Sequence, residues 1–173
     1  MWPTHTMYYP KTLPLGSKDF ITFIEKELIP YISSHYRTNN KRIICGQSLS
    51  AVFTLYMFLS KPYLFDSSIA CSGAFPDCEP FFKELSYEAF QQPEQFDGKK
   101  LFMTHGLKDP LDPEGTIHQQ MTDFVNSVKK SLGNQVACKY HFYENEGHVP
   151  KNSLKDGLDW LQVAGFKLQS TGQ

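Results

Sequence analysis

The feature that most constrains this chain is an order: short strand-like apolar runs alternate with longer segments of helical periodicity along nearly its whole length. From Ser17 to Tyr36, the residues Phe20, Phe23, Ile24, Leu28, Ile32 and Tyr36 recur at spacings of three and four. That predicts a helix with one face on a core, kinked or shortened by Pro30. Lys41–Cys45 reads as a strand, and Leu49 to Leu59 is apolar on every side, as a buried helix is, ending before Pro62. Ser67–Cys71 reads as a second strand, followed by a proline-interrupted region with one helix between Glu79 and Gln91. Leu101–Thr104 is a third strand. Thr116 to Leu132 places Ile117, Met121, Phe124, Val125, Val128 and Leu132 on one helical face and stops at Gly133. Gln135–Tyr143 alternates Val136, Cys138, Tyr140 and Phe142 as a fourth strand, and Asn152 to about Phe166 closes as a helix with Leu154, Leu158 and Leu161 inward. Parallel strands need crossovers long enough to hold a helix, so this alternation predicts an α/β domain: a mostly parallel sheet with helices on both faces.

With 173 residues the expectation is a single domain over 1–168 and a polar tail from Gln169 to Gln173. Seventeen Lys and Arg against 18 Asp and Glu leave a net charge of −1, which makes neither a nucleic acid nor an anionic membrane surface an obvious partner. Leu49 to Leu59 is shorter than the ~20 residues that span a bilayer, and Met1 to Gly16 has no signal-peptide core. Cys45, Cys71, Cys78 and Cys138 are scattered and read as small core residues rather than a disulfide framework. The six histidines show no metal-ligand spacing. The expectation is therefore a soluble, cytoplasmic protein without metal or cofactor.

In parallel sheets the loops at the carboxyl ends of the strands carry the chemistry. Those ends supply Gly46-Gln47-Ser48-Leu49-Ser50, Gly73-Ala74-Phe75, His105-Gly106-Leu107-Lys108-Asp109 and Glu144-Asn145-Glu146-Gly147-His148. Alone, Gly46-x-Ser48 means little. Between a strand and a buried helix, with small Gly46 and Ser50 two residues to either side, it fits the tight turn of a nucleophile elbow, although Ser50 stands where glycine is usual. A serine hydroxyl needs a general base and a carboxylate to orient it. His148 is the candidate base and Asp109 the candidate acid, with Asp112 as the alternative. The order Ser48, Asp109, His148 is that of α/β-hydrolases. His105 reads as structural, and Cys45 as a strand residue pointing into the sheet rather than a thiol nucleophile. Tyr8, Tyr9, Phe81 and Phe82 are candidates for an acyl pocket, or for core and rim.

Several segments together carry a resemblance. Glu27-Leu28-Ile29-Pro30-Tyr31-Ile32, Tyr36-Arg37-Thr38, Arg42-Ile43-Ile44-Cys45-Gly46-Gln47-Ser48-Leu49-Ser50, Pro62-Tyr63-Leu64-Phe65-Asp66, Glu146-Gly147-His148-Val149-Pro150 and Gly157-Leu158-Asp159-Trp160-Leu161 are similar to the esterase branch of the α/β-hydrolases related to enterochelin esterases and esterase D. The likeness runs from about Phe20 to Leu161, with Gln47 where that branch usually has His. It implies Ser48 as nucleophile and His148 as base. It also implies a sheet normally of eight strands, of which this chain would hold the last four. The loop giving one backbone donor of the oxyanion hole would then lie outside the chain, while the other donor, the Leu49 N–H, is retained. The nucleophile strand would expose an edge that a second copy could cover. The implied function is a serine esterase acting on a small or siderophore-like ester through an acyl-enzyme. The alternative is a weakly active or silent member of the fold, with a binding role or none.

Overall fold

The computed structural model describes residues 16–73 and 79–163. Expectations for Tyr8, Tyr9, Ala74, Phe75, Cys78 and the tail from Gln169 lie outside the described residues.

Four strands form one sheet in the order β1-β2-β3-β4, every neighbouring pair parallel: β1 (Ile43–Gln47), β2 (Ser67–Cys71), β3 (Lys99–Gly106) and β4 (Val136–Tyr143). Helix α3 (Leu49–Ser60) connects β1 to β2, α4 (Glu79–Ala89) precedes β3, and α5 (Thr116–Leu132) connects β3 to β4. Helix α6 (Ser153–Val163) follows β4. Because strand side chains alternate, Ala70, Leu101, Met103 and Val136 join α3 and α5 in the main core, whereas Ile69, Cys71 and Phe102 pack with Leu161 of α6 in a second one. Helices thus cover both faces. Helix α5 buries all six residues that its periodicity selected. In α6 only part of the expected face turns inward: Leu161 is fully buried, while Leu154, two turns earlier, is exposed.

The first helical region departs further from expectation. It continues from α1 (Ser17–Phe23) through a π-helical turn (Ile24–Leu28) into α2 (Ile29–His35). Ile29 N–H donates to the Ile24 carbonyl, five residues back, immediately before Pro30, which has no N–H to donate. The wider turn accommodates the proline without ending the helix. Its apolar stripe is not a core face: Ile21 and Ile24 are buried, but Phe20, Phe23, Leu28, Ile32 and Tyr36 are exposed. Phe20, Ile24, Leu28 and Ile32 form one wall of a groove of about 670 Å³ whose other wall includes Ile43, Ile44 and Phe53. The groove runs beside β1, which has no second neighbouring strand among the described residues. Of the described cysteines, Cys71 is buried, Cys138 partly so, and Cys45 lies exposed on that edge rather than in the core.

Leu55, fully buried in the main core, reports on its packing. Leu55→Ala should cost about 2–5 kcal/mol, read in urea denaturation as a lower midpoint at unchanged slope.

Candidate active site

Ser48 sits at the turn from β1 into α3 with φ 56° and ψ −121°, a backbone conformation that a non-glycine residue adopts only under constraint. The constraint is visible. Ser48 N–H donates to the Cys71 carbonyl at 2.9 Å, tying the turn to β2. The Ser50 hydroxyl accepts from Gln47 N–H at 2.8 Å and donates to the Gln47 carbonyl at 2.7 Å. Ser50 therefore staples the turn closed, a role that the sequence-level view of it as a merely small residue misses. Gly46 is required more strictly, because a Cβ there would overlap the Ser50 carbonyl.

The other two groups come from the ends of β3 and β4. Asp109, buried in the turn after β3, accepts from Leu111 N–H through Oδ1 at 2.8 Å. Its Oδ2 lies 2.6 Å from His148 Nδ1, and His148 Nε2 lies 2.9 Å from Ser48 Oγ. An ionised carboxylate can only accept, so the chain assigns Nδ1–H as donor to Asp109 and leaves the Nε2 lone pair facing the serine hydroxyl. The Asp109 side chain is 1% exposed and that of His148 21%, so the carboxylate is sealed while the imidazole remains reachable. The three residues proposed from strand-end placement are brought together; Asp112, the alternative acid, is not. It bonds to the start of α5 and to His105.

Two loops have to meet for this geometry. Lys108 N–H donates to the Glu146 carbonyl and Leu107 N–H to that of Tyr143, both at 2.9 Å. Beyond His148, Ser153 at the start of α6 is tied to β3 by a hydrogen bond from Thr104 Oγ1 at 3.0 Å. Gly106 stands at the meeting point: a Cβ there would overlap the carbonyl oxygens of both Gly147 and Glu146. Sequence reasoning did not single out Gly106; its only signal was a glycine closing a strand immediately before the acid-bearing turn.

Leu49 is the first residue of α3, so its N–H, one residue past Ser48, has no intrahelical acceptor. Phe81 and Phe82 belong to the main core, Phe81 stacked on Tyr56, rather than to the site. The Cys45 thiol, although its residue is exposed, is desolvated by surrounding protein atoms; that effect, with the Cys71 thiol nearby, pushes its pKa up to about 11. It is a thiol, not a thiolate, at neutral pH. Among the described residues, no group of His, Cys, Asp and Glu is arranged to hold a metal ion.

Comparison with known proteins gives a consistent picture. A family described as "Putative esterase" matches residues 2–147, ending one residue before His148. Ferri-bacillibactin esterase BesA of Bacillus subtilis (strain 168) is 36% identical over 81 residues, which are 46% of this chain and 25% of that protein. The structure resembles an IroE-like serine hydrolase from Shewanella oneidensis with a TM-score of 0.73 at 26% identity, covering 84% of this chain and 48% of that one. Siderophore hydrolase EstA from Aspergillus nidulans shares the fold with a TM-score of 0.69 at 15% identity, covering 87% of this chain and 59% of that one. The chain thus spans about a quarter of the curated relative and about half of the bacterial hydrolase.

Two outcomes follow from the geometry. Gly106→Ala should separate the acid and histidine loops and lower kcat by about 10²-fold, the scale of a 1 Å misplacement, measured by ester hydrolysis on protein whose circular dichroism is unchanged. Cys45 should react with iodoacetamide slowly at pH 8 and increasingly fast as the pH approaches 11, followed by mass spectrometry of the labelled peptide.

Proposed function

The chain belongs to the esterase family that matches residues 2–147, and on that premise we propose that it is a serine hydrolase cleaving carboxylic esters through an acyl-enzyme. Ser48 Oγ attacks the ester carbonyl carbon while His148 Nε2 takes its proton. Asp109 Oδ2 holds the imidazole by Nδ1–H and stabilises the charged ring, and the Leu49 N–H faces the developing oxyanion. Collapse breaks the carbon–oxygen bond and His148 returns the proton to the leaving alcohol; water then repeats the sequence on the acyl-serine. The observation that carries this reading is the continuous hydrogen-bond chain from Asp109 through His148 to Ser48, drawn from three strand ends.

For the substrate, the names of the relatives point to a siderophore-type ester: one is an esterase of ferri-bacillibactin and another a siderophore hydrolase. A small-molecule ester is the class common to the family reading. A second reading, a poorly active member of the fold, is favoured by one observation. The outer edge of β1 is uncovered among the described residues, and Leu49 N–H is then the one oxyanion donor identified. Loss of a single such donor costs about 10²–10³ in rate.

A fluorophosphonate probe and p-nitrophenyl acetate decide between the two. The serine hydrolase reading expects covalent labelling of Ser48 and hydrolysis that falls by about 10³-fold or more in Ser48→Ala. Absence of labelling, together with hydrolysis equal to that of Ser48→Ala, supports the second reading instead. Turnover of ferri-bacillibactin above the Ser48→Ala background extends the first reading to that substrate class.

A further inference from the structure

Behind the turn that bears Asp109 lies a second acid–histidine pair, which the reaction as written does not use. The Asp112 carboxylate is buried and accepts three hydrogen bonds: Ile117 N–H at 2.8 Å on Oδ1, and on Oδ2 His118 N–H at 2.9 Å and His105 Nε2–H at 3.2 Å. Two of these donors open helix α5, whose dipole favours an anion there; the third belongs to the end of β3. Asp112 thus ties together the two ends of the turn that lies between β3 and α5.

Inside that turn each bond leans on the next. Asp109 N–H donates to Gly106 and Asp112 N–H to Asp109, both at 3.0 Å, while Gly115 N–H donates to Asp112 at 3.2 Å. Leu111 N–H, immediately before Asp112, occupies Asp109 Oδ1 and so turns Oδ2 toward His148. His105 itself is expensive for a core. It is 1% exposed, its Nδ1 has no hydrogen-bond partner, and burial lowers its pKa, keeping the ring neutral with one proton to give. An apolar side chain at this strand position would avoid an unpaired buried nitrogen, which is unfavourable in a core. What the imidazole supplies, and an apolar side chain would not, is the Nε2–H donor to Asp112.

We propose that Asp112 and His105 are positioning residues that fix the carboxylate of Asp109 against His148, an inference that rests on Asp109 being the acid of the Ser48–His148 pair. Asp112 does so by anchoring the turn between β3 and α5, and His105 by holding the Asp112 carboxylate from the strand side. The ordinary alternative is that Asp112 is a cap on α5 that contributes stability alone.

The full chain tests this by two readouts: the far-downfield exchangeable proton resonance of His148 Nδ1–H, and kcat and KM for p-nitrophenyl acetate. His105→Leu and Asp112→Asn should shift or abolish the resonance. They should lower kcat about ten- to hundredfold, the cost of a small misalignment, and leave KM within about twofold. His105→Gln, which restores an N–H donor, should recover most of both. If folded His105→Leu and Asp112→Asn keep the wild-type resonance and kcat and change only the melting temperature, the positioning role is overturned in favour of the cap. Equal losses in His105→Gln and His105→Leu overturn it too. Should Asp112→Asn fail to fold, His105→Leu decides alone, since it leaves the bonds to α5 in place. Asp109→Ala, measured in parallel, separates the two levels. If the wild-type resonance is missing or survives that substitution, the acid assignment itself fails, and the positioning role fails with it. If Asp109→Ala abolishes the resonance while His105→Leu and Asp112→Asn preserve it, only the positioning role fails.

Discussion

Backbone contact between the end of β3 and the turn after β4 holds this site together. Asp109 and His148 are carried on separate loops, and a 2.6 Å hydrogen bond between them requires those loops to run against each other with no side chain intervening. Gly106 makes that possible, and the bonds from Leu107 and Lys108 to the Tyr143 and Glu146 carbonyls make it rigid. Parallel pairing of β3 with β4, from Lys99 opposite Val136 to Gly106 opposite Tyr143, brings both loops out at one level. The serine then needs only its own turn, held by Ser50 and by the Cys71 carbonyl, to come within reach of His148. Most of these devices are backbone groups at strand ends, where the chain leaves the sheet and its bonding groups become available, with Gly106 and Ser50 supplying the small residues.

Much of this was legible in the sequence because helix and strand periods differ. The six apolar positions of α5 fall on one face and are all buried. Four strands read from short apolar runs all appear in parallel pairing, and the placement of Ser48, Asp109 and His148 at strand ends anticipated that their side chains meet. What was not legible depends on what lies opposite a residue. The stripe from Phe20 to Tyr36 has a helical period, but periodicity reports that a face is apolar and not that anything covers it; most of that stripe is exposed. Strand position points Cys45 into the sheet, yet the residue lies exposed, on a strand with one neighbour among the described residues. Gly106 and the Ser50 hydroxyl act through backbone atoms brought close by folding, which no local spacing encodes. The choice between Asp109 and Asp112 likewise turned on which carboxylate the loop directs outward: one faces His148, the other the start of α5.

The groove beside β1 and the site at the strand ends are two aspects of one edge. Groove-lining Cys45 and Ser50 flank the turn that carries Ser48. The apolar wall formed by Phe20, Leu28 and Ile32 thus belongs to the same groove as the flanks of the serine turn, and leaving such a wall in water is unfavourable.

The parallel order of the sheet has a kinetic consequence. Ser48 and His148 lie 100 residues apart in sequence, and Asp109 and His148 lie 39 apart. Each parallel pairing must close a long stretch of chain before its contacts begin to compensate for the lost freedom, so a sheet of this kind forms slowly. Because the histidine arrives on the segment after the last strand, the hydrogen-bond chain cannot exist in any partly assembled sheet that lacks β4. The hydrogen bond between His148 and Ser48 thus forms only once β4 has joined the sheet, and its appearance is a clock for a late stage of folding.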